Sequence, residues 1–313
     1  MKTNRPNMLA LLLQDFFASH LPSLHGMSPH TIQSYRDSLV LLLRFLASHK
    51  KRPASSLDLG DLGSQEVQSF LVHLEQERNN SGSTRNIRLS AIHSFFRFVV
   101  AQHPDRLEHA QRILGIPFKK TCSRVIDYLE YDEIQKILSV IDQSTPKGRR
   151  DYTLLATMFN TGARVQETLD LKACDLQLTK PFQLHLMGKG RKQRCCPIWP
   201  QTVQLLRRLC LELQIDLGSE VRIFQNCRAA PLTRFGVRYI LNRCLKQAQT
   251  SIPSLRSKRL HPHSMRHSTA IALLKSGVDL STISQRRTGS AAVERTSGYD
   301  LRECFLSEYF SSH

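Results

Sequence analysis

The stretch "SPHTIQSYRDSLVLLLRFLASHK", Ser28 to Lys50, constrains the fold more than any other part of this chain. Ile32, Tyr35, Leu39, Leu42 and Leu46 recur at three- and four-residue intervals, which places them along one face of a helix. Ser28 can cap that helix, and Pro29 suits its first turn, where a missing N–H is harmless. So long a helix with one apolar face needs partners to cover it. The same spacing predicts a second helix from near Ser64, with Val67, Phe70, Leu71 and Leu74 inward. A third follows the Gly82 turn, capped by Ser83, with Ile87, Ile92, Phe95 and Val99 inward. Ahead of these, "MLALLLQDFF" reads as an amphipathic first helix, because Gln14 and Asp15 end its apolar run before a signal-peptide core is complete.

Between about Arg112 and Arg124 the periodicity fades, and "IPFKKTCSR" brings a proline and clustered charge. We therefore expect a helical domain over 1–112, a linker over 113–124 and a second domain over 125–313. In the second domain "LEYDEIQKILSVI" and "DYTLLATMFNTGARVQETLDL" are helical, the latter broken at Thr161-Gly162. "FQLHLM" and "RCCPI" alternate as strands around the polar turn "GKGRKQ". Helices resume at "QTVQLLRRLCLEL", "RFGVRYILNRCLKQA" and "HSMRHSTAIALLKSG", the last closed by Gly277. The expected fold class is mainly α with a small antiparallel β-sheet. No apolar run approaches the roughly 20 residues that span a bilayer.

Hydrophobic residues at 41% and charged residues at 22% fit a globular chain. The 44 Lys and Arg exceed the 26 Asp and Glu by 18, an excess that favours polyanionic partners. Eight cysteines, with no CxxC pair and no secreted-framework spacing, predict reduced thiols and an intracellular protein. Arg85, Arg88 and Arg97 lie outside the apolar stripe of the third helix, where they can meet phosphates or form a solvated basic face.

Four separated pieces have chemistry in common. In "TGARVQETLDL", Arg164 stands at a helix start, where the macrodipole already carries partial positive charge; two positive features suit an anion, although a surface ion pair with Glu167 is the plainer reading. In "MGKGRKQR", Lys189 projects from a turn too short for a nucleotide-binding loop, and it can donate a proton or simply be an exposed basic residue. In "HPHSMRHSTA", His263, Arg266 and His267 share a helical face; a zinc site needs acidic or thiolate partners nearby and none lies close in sequence, whereas a guanidinium among imidazoles suits an anion and proton transfer. In "GSAAVERTSGYDL", Tyr299 needs cationic neighbours to act as a nucleophile, its free phenol pKa being near 10.

The order and spacing of these pieces resemble the tyrosine recombinase (phage integrase) family over nearly the whole chain. "SPHTIQSYRDSL" and "STRNIRLSAIHSFFRFV" are similar to its helical core-binding (SAM-like) domain. "TGARVQETLDL", "GKGRKQRCCPI" and "HSMRHSTAIALL" are similar to its catalytic boxes, and Tyr299 follows Gly289 by ten residues as the family's nucleophile does. The resemblance implies that Arg164 and Arg266 clamp the scissile phosphate, Tyr299 attacks phosphorus to leave a 3′-phosphotyrosyl bond, His263 assists proton transfer, and Lys189 protonates the departing 5′ oxygen. It further implies Glu167 as an orienting residue, His267 as structural support, and Lys192 and Arg194 as DNA contacts from the hairpin. No cofactor or metal is implied, because bond energy is conserved in the covalent link. The implied partner is duplex DNA with paired recombination sites, bound by a homotetramer on the nucleoid, with no membrane; integration, excision, transposition and resolution stay open.

One segment departs from the family pattern. Where the family reads Ile-x-x-x-Leu-Gly-His, this chain has "ISQRRTGS", so Ser290 replaces an imidazole and can offer phosphate a hydrogen bond without charge. The second reading is therefore a catalytically impaired relative that acts as a sequence-specific DNA-binding protein.

Overall fold

The computed structural model describes residues 7–24, 26–121, 126–188 and 193–288. Of the residues singled out above, Lys189, Lys192, Ser290 and Tyr299 lie outside them. The chain divides into two compact units, Met1–Arg124 and Val125–His313.

The first unit is helical: α1 (Met8–Asp15), continued by a wider-turn helix over Phe16–Leu24, then α2 (Pro29–Lys50), α3 (Ser64–Gln76), α4 (Gly82–Gln102) and α5 (Leu107–Leu114). Ser28 caps α2 through Thr31 N–H, and Leu39, Leu42 and Leu46 are buried as the spacing requires. Val67, Phe70, Leu71 and Leu74 of α3 meet them, with Phe16 packed edge-on against Phe95 at 5.4 Å. The third predicted helix needs two corrections. Its cap is Ser81 rather than Ser83, and Ile87 is 53% exposed. Five residues separate Ile87 from Ile92, about 140° around a helix, so Leu89 takes the inward place.

The first unit's core runs past α5, because Ile113 and Ile116 are buried in it and Asn86 holds Lys119 through both backbone groups. His93 lies buried in α4 with Nε2 3.1 Å from the Ile113 carbonyl. Burial, and then the nearby Arg97 and Arg85, hold its pKa below the usual imidazole value, although the carbonyl acts the other way.

The second unit contains α6 (Tyr131–Ser139), α7 (Pro146–Thr161), α8 (Val165–Leu169), a three-stranded antiparallel sheet, α9 (Pro200–Glu212), α10 (Arg234–Ala248), α11 (Pro262–Lys275) and α12 (Leu280–Thr288). The expected hairpin is β2 (Gln183–Met187) with β3 (Gln193–Pro197), and a two-residue strand, β1 (Leu176–Gln177), extends it in the order β1-β2-β3. Register pairs Leu184 with Cys196 and Leu186 with Arg194, and all four point into the core. Helix α7 is the buried axis of the unit. Its wholly buried Asp151 accepts from Arg150 at 2.6 Å and from Arg243 of α10 at 2.8 Å, so two cations neutralise the one carboxylate in the interior.

The His93 environment gives a directional prediction. A neutral folded imidazole with a lowered pKa stabilises the fold fully above the unfolded pKa of about 6.5 and progressively less as pH falls below it. Thermal melts between pH 7.5 and pH 5 should show acid destabilisation of the first unit. His93→Gln, which can still donate to the Ile113 carbonyl, should reduce that pH dependence; equal dependence in both proteins would contradict the assignment.

Candidate active site

Helix α7 ends where Gly162 adopts φ +59°, a left-handed conformation that glycine takes without strain. A side chain here would also meet Thr269 of α11, whose Cγ2 lies 3.3 Å from the position of a Cβ. The chain therefore turns sharply into α8 with α11 close behind it, and Arg164 falls at the N-cap of α8.

Helix α11 is fixed to this turn by polar contacts. Arg266 Nη1 donates to the Gly162 carbonyl at 2.5 Å, and Thr269 Oγ1 donates to the Phe159 carbonyl at 2.7 Å. On its other flank the Ser268 hydroxyl accepts from Leu129 N–H at 2.8 Å. Arg266 is buried, 5% exposed, while His263, one turn earlier, is exposed and His267 half-buried. Pro262 opens the helix after His261, whose ring stands edge-on to that of His263 at 6.2 Å.

The plainer reading of Arg164 is half right. Its Nη1 does bond Glu167 Oε1 at 2.7 Å, but the carboxylate is 4% exposed and belongs to no surface pair. Glu167 Oε2 also accepts Arg164 N–H at 2.9 Å and Arg194 Nη2 at 2.6 Å. Burial alone would raise this carboxyl's pKa; the donors from Arg194 and Arg164 outweigh it and bring it down to about 2. Arg164 meanwhile keeps 44% of its side chain exposed. One guanidinium is thus held by one edge and open on the rest.

Arg194 requires a correction. Expected as a DNA contact on the hairpin, its side chain is 3% exposed and committed to Glu167. Strand alternation explains it: Arg194 shares the inward face with Cys196, and an arginine there needs a buried acid. The clue in the sequence was that two-residue period. In the first unit Arg97 is exposed, Arg88 is half-buried with a buried Nε that has no hydrogen-bond partner among the described residues, and Arg85 donates to Asn86 and to the Pro117 carbonyl.

The described part of the site therefore unites Arg164, Glu167, Arg194 and Arg266 around one turn, and His263 is exposed one helical turn before Arg266. Such a cluster carries more positive than negative charge and presents fixed donors to an anion. Among the described residues no group of three metal-ligating side chains occurs, and no helix is long and apolar enough to cross a membrane.

Breaking the Glu167 contacts leaves a buried guanidinium unpaired, so Glu167→Ala should destabilise the second unit by about 3–5 kcal/mol in urea unfolding. With a folded pKa near 2, the carboxylate's contribution is complete above about pH 4.5 and is lost as pH falls toward 2. Glu167→Leu with Arg194→Met should recover most of the stability. Failure of the double variant to exceed Glu167→Ala would show that the ion pair is not the source of the loss.

The profile of the phage integrase family matches residues 127–300, and that of the phage integrase N-terminal SAM-like domain matches residues 14–103. A putative integrase/recombinase of Sinorhizobium fredii is 37% identical over 93% of this chain and 87% of its own length. Tyrosine recombinase XerC of Oceanobacillus iheyensis is 31% identical over 97% of each chain. Among solved structures, a lambda integrase tetramer bound to a Holliday junction superposes with a TM-score of 0.65 at 17% identity, over 94% of this chain and 80% of that one. With both family profiles in order along one chain and a helical fold to match, this protein belongs to the phage integrase family of tyrosine recombinases.

Proposed function

We infer that this protein is a site-specific recombinase that cuts and rejoins duplex DNA through a 3′-phosphotyrosyl intermediate, with Arg164 and Arg266 holding the scissile phosphate. The observation that carries the residue assignment is the pairing of these two guanidinium groups on one turn, Arg164 at its end and Arg266 bonded to the Gly162 carbonyl. Their forked donors match a phosphodiester and offset the charge that grows on its oxygens as phosphorus becomes five-coordinate. Glu167 and Arg194 orient Arg164 without touching DNA.

In this mechanism the Tyr299 oxygen attacks phosphorus and the 5′ oxygen leaves with a proton from Lys189. The phenol proton passes toward His263, which is exposed one helical turn before Arg266. The 5′-hydroxyl of a partner strand then attacks the phosphotyrosine, restoring the phenol and closing a new strand. The exchange needs neither ATP nor metal, since one phosphodiester is traded for another.

A homotetramer on paired sites is supported by the lambda integrase tetramer whose fold this chain shares. On this reading the protein works in the cytoplasm on nucleoid DNA, and the exposed Arg97 with Arg88, Arg85 and Lys192 are candidate backbone contacts. The reading as a binding protein that no longer cuts is not favoured, because the phage integrase family match spans residues 127–300 and the similar full-length relatives are named recombinases.

A randomised pool of nicked duplexes should yield a covalent protein–DNA adduct that survives denaturation, and sequencing the captured strands should give the site. Tyr299→Phe should abolish the adduct, and Arg164→Ala should slow its formation by about 100- to 1,000-fold with binding largely kept. An adduct that persists in Tyr299→Phe would remove the nucleophile assignment.

A further inference from the structure

Beside α10 the second unit carries a cleft of about 550 Å³ whose walls include Tyr239, Asn242, Arg243, Lys246, Lys258 and Arg259. Its four cations fall into two kinds. Arg243 donates to buried Asp151 at 2.8 Å, and Lys258 donates to Glu133 at 2.5 Å and to the Tyr128 carbonyl at 2.9 Å. These two are neutralised within the fold. Lys246 and Arg259 are exposed, and among the described residues neither side chain has a carboxylate partner. The backbone beneath Arg259 is nevertheless fixed, because its N–H donates to Asp127 Oδ2 at 2.8 Å. Tyr239, 65% exposed, and Asn242, also exposed, complete the mouth with an aromatic face and an amide.

Position gives the cleft its meaning. From Arg259 the chain runs through Leu260 into His261, the extended N-cap of α11, and on to His263. Four residues reach at most about 14 Å, and phosphates on one strand follow at about 3.4 Å along the duplex axis. We propose that Lys246 and Arg259 hold a backbone phosphate of duplex DNA within about four nucleotides of the scissile one, on the side of α10, with Tyr239 and Asn242 against the adjoining sugar. The proposal rests on the recombinase reading and adds a binding site that the catalytic cluster does not contain. Its role is to set the register of the strand, because a second fixed phosphate removes the freedom of the first to slide or rotate.

The test is the salt dependence of binding to a labelled 40-base-pair duplex of arbitrary sequence, read by fluorescence anisotropy with the full chain. Each lost phosphate contact lowers the slope of log K against log salt by about 0.9. Lys246→Ala with Arg259→Ala gives up one neutralised phosphate and should therefore lower it by about 0.9. Lys246→Arg with Arg259→Lys should keep the wild-type slope, which excludes misfolding as the cause. Lys180→Ala with Arg228→Ala removes the same charge from exposed positions outside the cleft, and should change the slope by less than about half a unit. An unchanged slope in the first pair, or an equal fall in the control pair, would overturn the site. Wild-type protein that neither binds the duplex nor forms an adduct with the nicked pool would instead bring down the recombinase reading beneath it.

Discussion

A single buried carboxylate organises the catalytic cluster. Glu167 sits where ionisation is penalised, yet it stays charged because three donors from two arginines close around it. The arrangement is strongly coupled: without Glu167 the buried Arg194 has no counter-charge, and without Arg194 the carboxylate loses the contact that ties α8 to the sheet. Because the second oxygen also caps α8 through Arg164 N–H, the same group fixes both the start of a helix and the angle of the guanidinium that projects from it. Arg266 reaches the preceding carbonyl from α11. Charge that would otherwise repel is thereby held at short range before any anion arrives, which is the preorganisation that electrostatic catalysis requires.

What was legible in the sequence is what local chemistry dictates. The cap at Ser28, the apolar faces of α2 and α3, the break at Gly162 and the pairing of β2 with β3 each depend on neighbours within a few residues. The misplaced cap at Ser83 belongs to the same class, since Ser81 and Ser83 flank the first helical residue, Gly82, and only geometry shows the Ser81 hydroxyl accepting from Thr84 N–H. The Ile87 error came from accepting a five-residue gap as helical spacing. Arg194 failed for a different reason: its partner lies 27 residues away, and the run of basic residues around the hairpin turn concealed the strand period.

Helix α11 and the shared face of His263 and Arg266 were legible in the sequence, but what holds the helix in place was not. Its buried positions include Ser264, Ser268 and Thr269, so it has little apolar face for a periodicity argument to find. Hydroxyl groups secure it instead, through the Leu129 amide and the Phe159 carbonyl, and these partners are more than a hundred residues distant. A helix held this way has a closely determined position, because a hydrogen bond tolerates less displacement than an apolar contact. That suits an element carrying His263 and Arg266, whose usefulness depends on placement to within a fraction of an ångström.

The excess of 18 positive charges also divides once the structure is considered. Arg194, Arg243 and Lys258 are matched with the buried acids Glu167, Asp151 and Glu133, and they contribute to cohesion rather than to attraction of a polyanion. Other cations have no carboxylate partner among the described residues, Arg97 in the first unit and Lys246 and Arg259 in the second among them. Composition alone counts both kinds alike. Only the second kind can exchange condensed counterions for protein contact, so the strength and salt sensitivity of DNA binding should follow those unpaired cations that meet phosphates and not the net charge.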